Sequence, residues 1–129
     1  MSTLFTKIIN KEIPSYKIFE DELTYAFLDI NPINLGHTLI VPKVEIDYFL
    51  DVEEPYYTQV FKNAKIIGKA IHQATSCKRV GTIIAGWDVP HFHYHLIPMF
   101  AFEDLDFRKG KKRSEEEMKE IQEKIINLI

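Results

Sequence analysis

Three histidines alternate with apolar residues in the run His91-Phe92-His93-Tyr94-His95-Leu96-Ile97. In an extended strand, successive side chains point to opposite faces. His91, His93 and His95 therefore share one face, and Phe92, Tyr94 and Leu96 share the other. The pattern predicts a half-buried strand with an imidazole face. Imidazole is the side chain best suited to proton transfer near neutral pH, so that face is a candidate for chemistry.

The rest of the chain supplies partners for such a strand. Tyr16, Ile18 and the run Tyr25-Ala26-Phe27-Leu28 read as two strands turned at Glu20-Asp21-Glu22. Asn31-Pro32 and Leu35-Gly36 bracket a loop, and His37 to Val41 follows as a third strand stopped by Pro42. From Val52 the period changes. Val60, Phe61, Ala64, Ile67, Ile71 and Ala74 recur at helical spacing, with Pro55 near the start. Val80 to Ala85 is expected as a fourth strand and His91 to Ile97 as a fifth, joined by Gly86 to Pro90. A short helix is expected over Thr3 to Asn10. Near the other end, Ser114 and Glu117 have the form of a capping box ahead of Met118, Ile121 and Ile125. The basic run Arg108, Lys109, Lys111, Lys112 and Arg113 before it reads as a solvated loop. One domain over residues 1–129 is expected, with this basic loop and helix over about 108–129.

A formal net charge of −3 gives no whole-chain pull toward nucleic acid or an anionic membrane. No apolar stretch has the length of a membrane span, and the N-terminus lacks a secretory signal pattern. The single cysteine, Cys77, has no partner for an internal disulfide, which fits a reducing compartment. Cytoplasmic residence, with neither nucleic acid nor membrane as partner, is the expectation.

On the residues alone, three readings of the imidazole row stay open. The rings could be solvent-facing or hydrogen-bonded structural residues. They could bind zinc or copper, with Asp88 or His37 as a further ligand, although the spacing demands neither. Or they could act on phosphorus. A neutral imidazole can attack an α-phosphate and divide a hard displacement into two easier ones, while its neighbours serve phosphoryl oxygens and the leaving group. Close packing of imidazoles opposes full protonation, so a neutral nucleophile is physically reasonable.

At these residues the chain resembles the histidine triad (HIT) nucleotide hydrolases and transferases. The likeness extends to Phe5 through Ser15, Ala26 through Pro32, Gly36 through Lys43 and Gly86 through Pro90, in order from about Leu4 to Pro98. It implies an α+β fold: an antiparallel five-stranded sheet with one long helix and short terminal helices, paired into a homodimer. It also implies roles. His93 is the nucleophile that becomes nucleotidylated; His95 contacts the phosphate and helps proton transfer to the leaving group. His91 supports the central imidazole, and His37 lies buried behind the triad. A backbone carbonyl accepting from Nδ1–H would leave the His93 Nε2 lone pair free. For the nucleotide, the resemblance implies Asp29 as acceptor from the ribose hydroxyls and Phe5, Ile8, Phe27, Ile30 and Leu39 as walls of the base pocket. The Val89 amide would donate to the α-phosphate. Without the resemblance, Phe5, Ile8, Phe27 and Leu39 read as plain core, and Asp29 before a turn could equally be a local backbone acceptor.

Three departures stand out. Many members carry a Cys-x-x-Cys pair that binds structural zinc with histidines; here Thr3 and Thr6 hold those positions and Glu45 holds the downstream histidine position. No metal and no cofactor are expected. Trp87 replaces a glutamine near the phosphates, where an indole would shape or cover the site. Asp88 replaces a small hydroxyl, where a carboxylate would repel an anionic substrate unless it points away. The expected activity is hydrolysis of a nucleoside phosphoramidate, most often of adenosine, to the monophosphate. Dinucleoside polyphosphate hydrolysis is the alternative. From another class, the alternative is a nucleotide-binding interaction module without turnover.

Overall fold

Two strands carry the centre of the molecule, and every one of their residues is buried: β2 (Thr24–Leu28) and β3 (Thr38–Pro42). The computed structural model describes residues 2–129. A helix, α1 (Leu4–Ile9), precedes β1 (Lys17–Glu20) and β2. After β3 come the long helix α2 (Tyr56–Thr75), then β4 (Arg79–Ile83), β5 (Tyr94–Met99) and α3 (Glu115–Ile126). The five strands form one sheet in the order β1-β2-β3-β5-β4, and each neighbouring pair is antiparallel.

The period-two alternation of β2 and β3 sorts their side chains into two layers. Ala26, Leu28 and Ile40 face a core shared with Val60, Ile67 and Ile71 of α2 and with Met118, Ile121 and Ile125 of α3. Tyr25, Phe27, Leu39 and Val41 face the opposite way, onto Phe5 and Ile8 of α1. Covering both faces explains why these strands read as continuous apolar runs. Buried Asn63 fastens α2 to the β1–β2 turn, donating from Nδ2 to Thr24 Oγ1 and Asp21 Oδ2, both at 2.7 Å. The capping box of α3 is formed, with the Ser114 hydroxyl accepting from the Glu117 amide.

The expected fifth strand is displaced. The ladder starts at Tyr94, opposite Ile40, and not at His91. Continuing that register would set Phe92 opposite Pro42, which has no N–H to give. The Phe92 amide donates to the Ile46 carbonyl instead, at 2.6 Å. The chain nevertheless stays extended enough to keep the alternation: Phe92 and Leu96 lie in the helix-side core, while His93 stands against Phe5 on the α1 side. Among the described residues, no helix is long and apolar enough to cross a membrane.

Candidate functional site

On the α1 side of the sheet lies a cavity of about 220 Å³. Phe5, Ile8, Phe27, Asp29, Ile30, Leu39, Val89, His93 and His95 all line it. Ile30 is 65% exposed, so it stands at the mouth and is not an enclosed wall. His91 and His37 are buried and do not line the cavity; the His91 carbonyl lies within hydrogen-bond reach of His93 Nδ1, and His37 Nε2 within reach of His95 Nδ1.

Hydrogen-bond chemistry settles the proton positions of the neutral rings. His93 Nδ1 lies 2.7 Å from the His91 carbonyl oxygen. A carbonyl only accepts, so Nδ1 carries the proton and Nε2 keeps its lone pair. His37 Nδ1 accepts from the Ile33 amide at 3.1 Å, which puts the His37 proton on Nε2. That proton faces His95 Nδ1 at 2.9 Å, so neutral His95 is protonated on Nε2. Rings two residues apart therefore have opposite characters, His93 a base and His95 a donor. Gly36 places His37: its φ of +104° is in the left-handed region, and an added Cβ would stand 3.0 Å from Thr75 Cγ2.

Burial pushes His37 down to about 4, and burial, aided by the neighbouring His37 and His93, pushes His95 down to about 3. Both rings therefore stay neutral when folded, whereas unfolded imidazoles take up a proton near 6.5. Their contribution to stability is complete above that value and drains away as pH falls toward the folded ones. The denaturation midpoint is expected to fall between about pH 7 and pH 5, above the range of the carboxylates, and to fall less in His37→Gln. A midpoint unchanged over that interval would show imidazoles that titrate normally in the folded protein.

His91 is held at both nitrogens. Its Nε2–H donates to the Pro42 carbonyl at 2.8 Å, and its Nδ1 accepts from the Thr3 hydroxyl at 2.8 Å. Thr3 also caps α1, its oxygen accepting from the Thr6 amide at 3.1 Å, while its own amide donates to Glu45 Oε1 at 2.6 Å. The Thr6 hydroxyl and the Thr3 amide hold the Glu45 carboxyl below its usual range. The positions that the resemblance gives to structural zinc thus meet as a hydrogen-bonded set. Two hydroxyls, a carboxylate and an imidazole whose Nδ1 is already engaged do not fit a thiolate-rich zinc site. Thr3→Val removes both the cap and the His91 partner. It is expected to cost about 1–2 kcal/mol in chemical denaturation, and Thr3→Ser is expected to keep most of it.

Asp29, His37 and His95 offer ligand atoms within 4.8 Å of one another, the only such group among the described residues. The His37–His95 hydrogen bond occupies the two facing nitrogens, which leaves the set poorly arranged for an ion. Asp29 Oδ1 accepts from the Asn31 amide at 2.8 Å, so the local acceptor role is realised while the side chain still lines the cavity.

Of the departures, Asp88 lines the cavity, whereas Trp87 is 90% exposed and does not cover it. The basic run is also more than a solvated loop. Phe107–Lys109 forms a 3-10 turn, and the Phe107 ring packs edge-on against His95 with centroids 4.9 Å apart. Nothing in the local sequence marks Phe107, since the contact joins residues twelve apart through an irregular segment.

An α+β protein with an open antiparallel sheet, in which the extended segment entering β5 carries a row of imidazoles beside a half-enclosed cavity, is the class this fold and site define. Residues 10–102 match the HIT domain family. The chain belongs to the HIT family. It is 41% identical over 116 residues to a HIT-like protein of Borreliella burgdorferi, covering 84% of each. It is also 41% identical over 96 residues to an adenosine 5′-monophosphoramidase of Saccharomyces cerevisiae, covering 74% of this chain and 61% of the yeast protein. The solved structure of a HIT-like protein from Bartonella henselae superposes with a TM-score of 0.87 at 28% identity, covering 99% of this chain and 97% of that one.

Proposed function

We propose that the protein hydrolyses a nucleoside phosphoramidate, with adenosine as the nucleoside, through a covalent nucleotidyl intermediate on His93. The observation that carries this reading is the 2.7 Å contact from His93 Nδ1 to the His91 carbonyl, because it turns Nε2 into an unprotonated nucleophile. In the first step the Nε2–P bond forms and the P–N bond breaks. The electron pair stays on nitrogen, which takes up one proton and departs as the amine. His95 Nε2–H donates to the phosphoryl group as charge gathers there, and the Val89 amide adds a second donor. Water then attacks phosphorus, His93 leaves, and one proton is released with the monophosphate. The apolar walls Phe5, Phe27 and Leu39 receive the base and Asp29 the ribose. The resemblance to the yeast phosphoramidase supports the choice of substrate.

Two further parts of the reading concern assembly and place. β4 is an open sheet edge, and beside it Phe61, Val80 and Tyr94 line a groove between α2 and the sheet; both support pairing with a second copy. Cys77, buried and free, supports a reducing cytoplasm. The reaction is tested by incubating the purified protein with adenosine 5′-phosphoramidate, quenching in alkali and mapping the adduct by mass spectrometry. A nucleotidyl group is expected on the peptide that carries His91 to His95. Binding without release of monophosphate from amidates or dinucleoside polyphosphates would favour an interaction module.

A further inference from the structure

The walls that the resemblance gives to the base are apolar, yet one hydroxyl side chain stands among the residues lining the cavity, that of Ser15. Its place follows from the sheet. His95 lies opposite Leu39, Leu39 opposite Phe27, and Phe27 opposite Lys17, so one row crosses the sheet from β5 to β1. Three strand spacings make that row about 14 Å long. Ser15 comes just before Lys17, on a segment still fastened to β2, where the Leu28 amide donates to the Tyr16 carbonyl at 3.0 Å. The other polar side chains of the lining are His93 and His95, Asp88 just before the row, and Asp29, given to the ribose. Ser15 is therefore the polar group at the end away from the histidines. It also borders an adjoining cavity of about 240 Å³ that Tyr25 lines, and the Ser15 and Tyr25 hydroxyl oxygens are 3.0 Å apart.

We propose that Ser15, oriented by Tyr25, reads the outer edge of the base and selects a nucleoside with an unprotonated ring nitrogen there, as at N1 of adenine. The proposal rests on the nucleotide reading above. With phosphorus at the histidines, the ribose at Asp29 and the base over Leu39 and Phe27, the edge farthest from the sugar is the one that arrives at Ser15. Tyr25 is 3% exposed, and a buried tyrosine hydroxyl takes a hydrogen-bond partner. Its phenol is the more acidic of the two hydroxyls, so Tyr25 donates and Ser15 Oγ accepts. The Ser15 proton is then left for the base, where a ring-nitrogen lone pair accepts it. A C–H in place of that nitrogen leaves the donor unpaired inside the cavity, which is how a polar group in an apolar pocket becomes selective.

The test needs no turnover. Calorimetric titration of the full chain compares adenosine 5′-monophosphate with its 1-deaza analogue, in which C–H replaces N1. The wild-type protein is expected to bind the adenine nucleotide about tenfold more tightly. Ser15→Ala is expected to bring the two Kd values within about twofold of each other, chiefly by weakening the adenine nucleotide. Tyr25→Phe keeps the Ser15 hydroxyl but frees it to turn, and is expected to leave a ratio of about threefold. Ile13→Val, in the same cavity and without a polar group, serves as the control and is expected to keep the wild-type ratio. Equal affinities in the wild-type protein, or an unchanged ratio in Ser15→Ala, overturn the edge contact while the nucleotide site stands. Binding of neither nucleotide overturns the site and the contact together. The amidate chemistry is judged apart from both, by the adduct on His93.

Discussion

His93→Ala is expected to lower release of adenosine monophosphate by about 10⁴-fold or more, because in the proposed reaction it removes the atom that forms the intermediate. Loss of a neighbouring donor would cost less, about 10²–10³-fold, since a donor lowers the barrier without changing the pathway. The size of the effect therefore separates nucleophile from helper. Nucleotide affinity is expected to stay within several-fold of wild type, because Phe5, Phe27 and Leu39 remain in place. Calorimetric titration with adenosine monophosphate and a discontinuous assay on the amidate check the two halves. Turnover within about tenfold of wild type would place the nucleophile elsewhere.

One residue away, Phe92→Ala is expected to do the reverse. Phe92 is among the largest fully buried side chains, in the core shared with α2, and its ring lies 6.4 Å from that of Phe49. Truncation leaves a cavity that the surrounding sheet and helix cannot close, at a cost of about 3–5 kcal/mol. For a domain of this size that corresponds to a fall in Tm of roughly 10–20 °C. Thermal unfolding followed by circular dichroism measures it. A variant as stable as wild type would mean that the ring does not face the helix. Together, the two substitutions test the alternation itself: one removes chemistry and leaves the fold, the other weakens the fold.

Much of the architecture is legible in the residues. Five strands and the long helix follow from the period of the apolar positions, which local geometry ties to strand or helix, whereas the α+β class and the antiparallel pairing came from the family resemblance. The C-terminal helix is also legible, because Ser114 caps it by a bond to the amide three residues on; that Thr3 caps the first helix is a finding of the structure. The start of β5 is not. It depends on Pro42, forty-nine residues before His91, which ends the ladder across from Phe92. Nor does sequence separate core from cavity: Phe5, Ile8, Phe27 and Leu39 are at once a packed cluster and a cavity lining.

What the sequence determined by itself is the alternation: three imidazoles on one face and apolar side chains on the other. Side-chain direction in an extended chain depends only on parity, so this needs no distant partner. The tertiary structure decided the state of each ring. His91 is pinned by Pro42 and Thr3, His93 is oriented by a carbonyl, and His95 is oriented through His37 by the Ile33 amide. Identical side chains become base, donor and support because a proton's place on imidazole is set by whatever faces the other nitrogen, and most of those partners come from elsewhere in the chain.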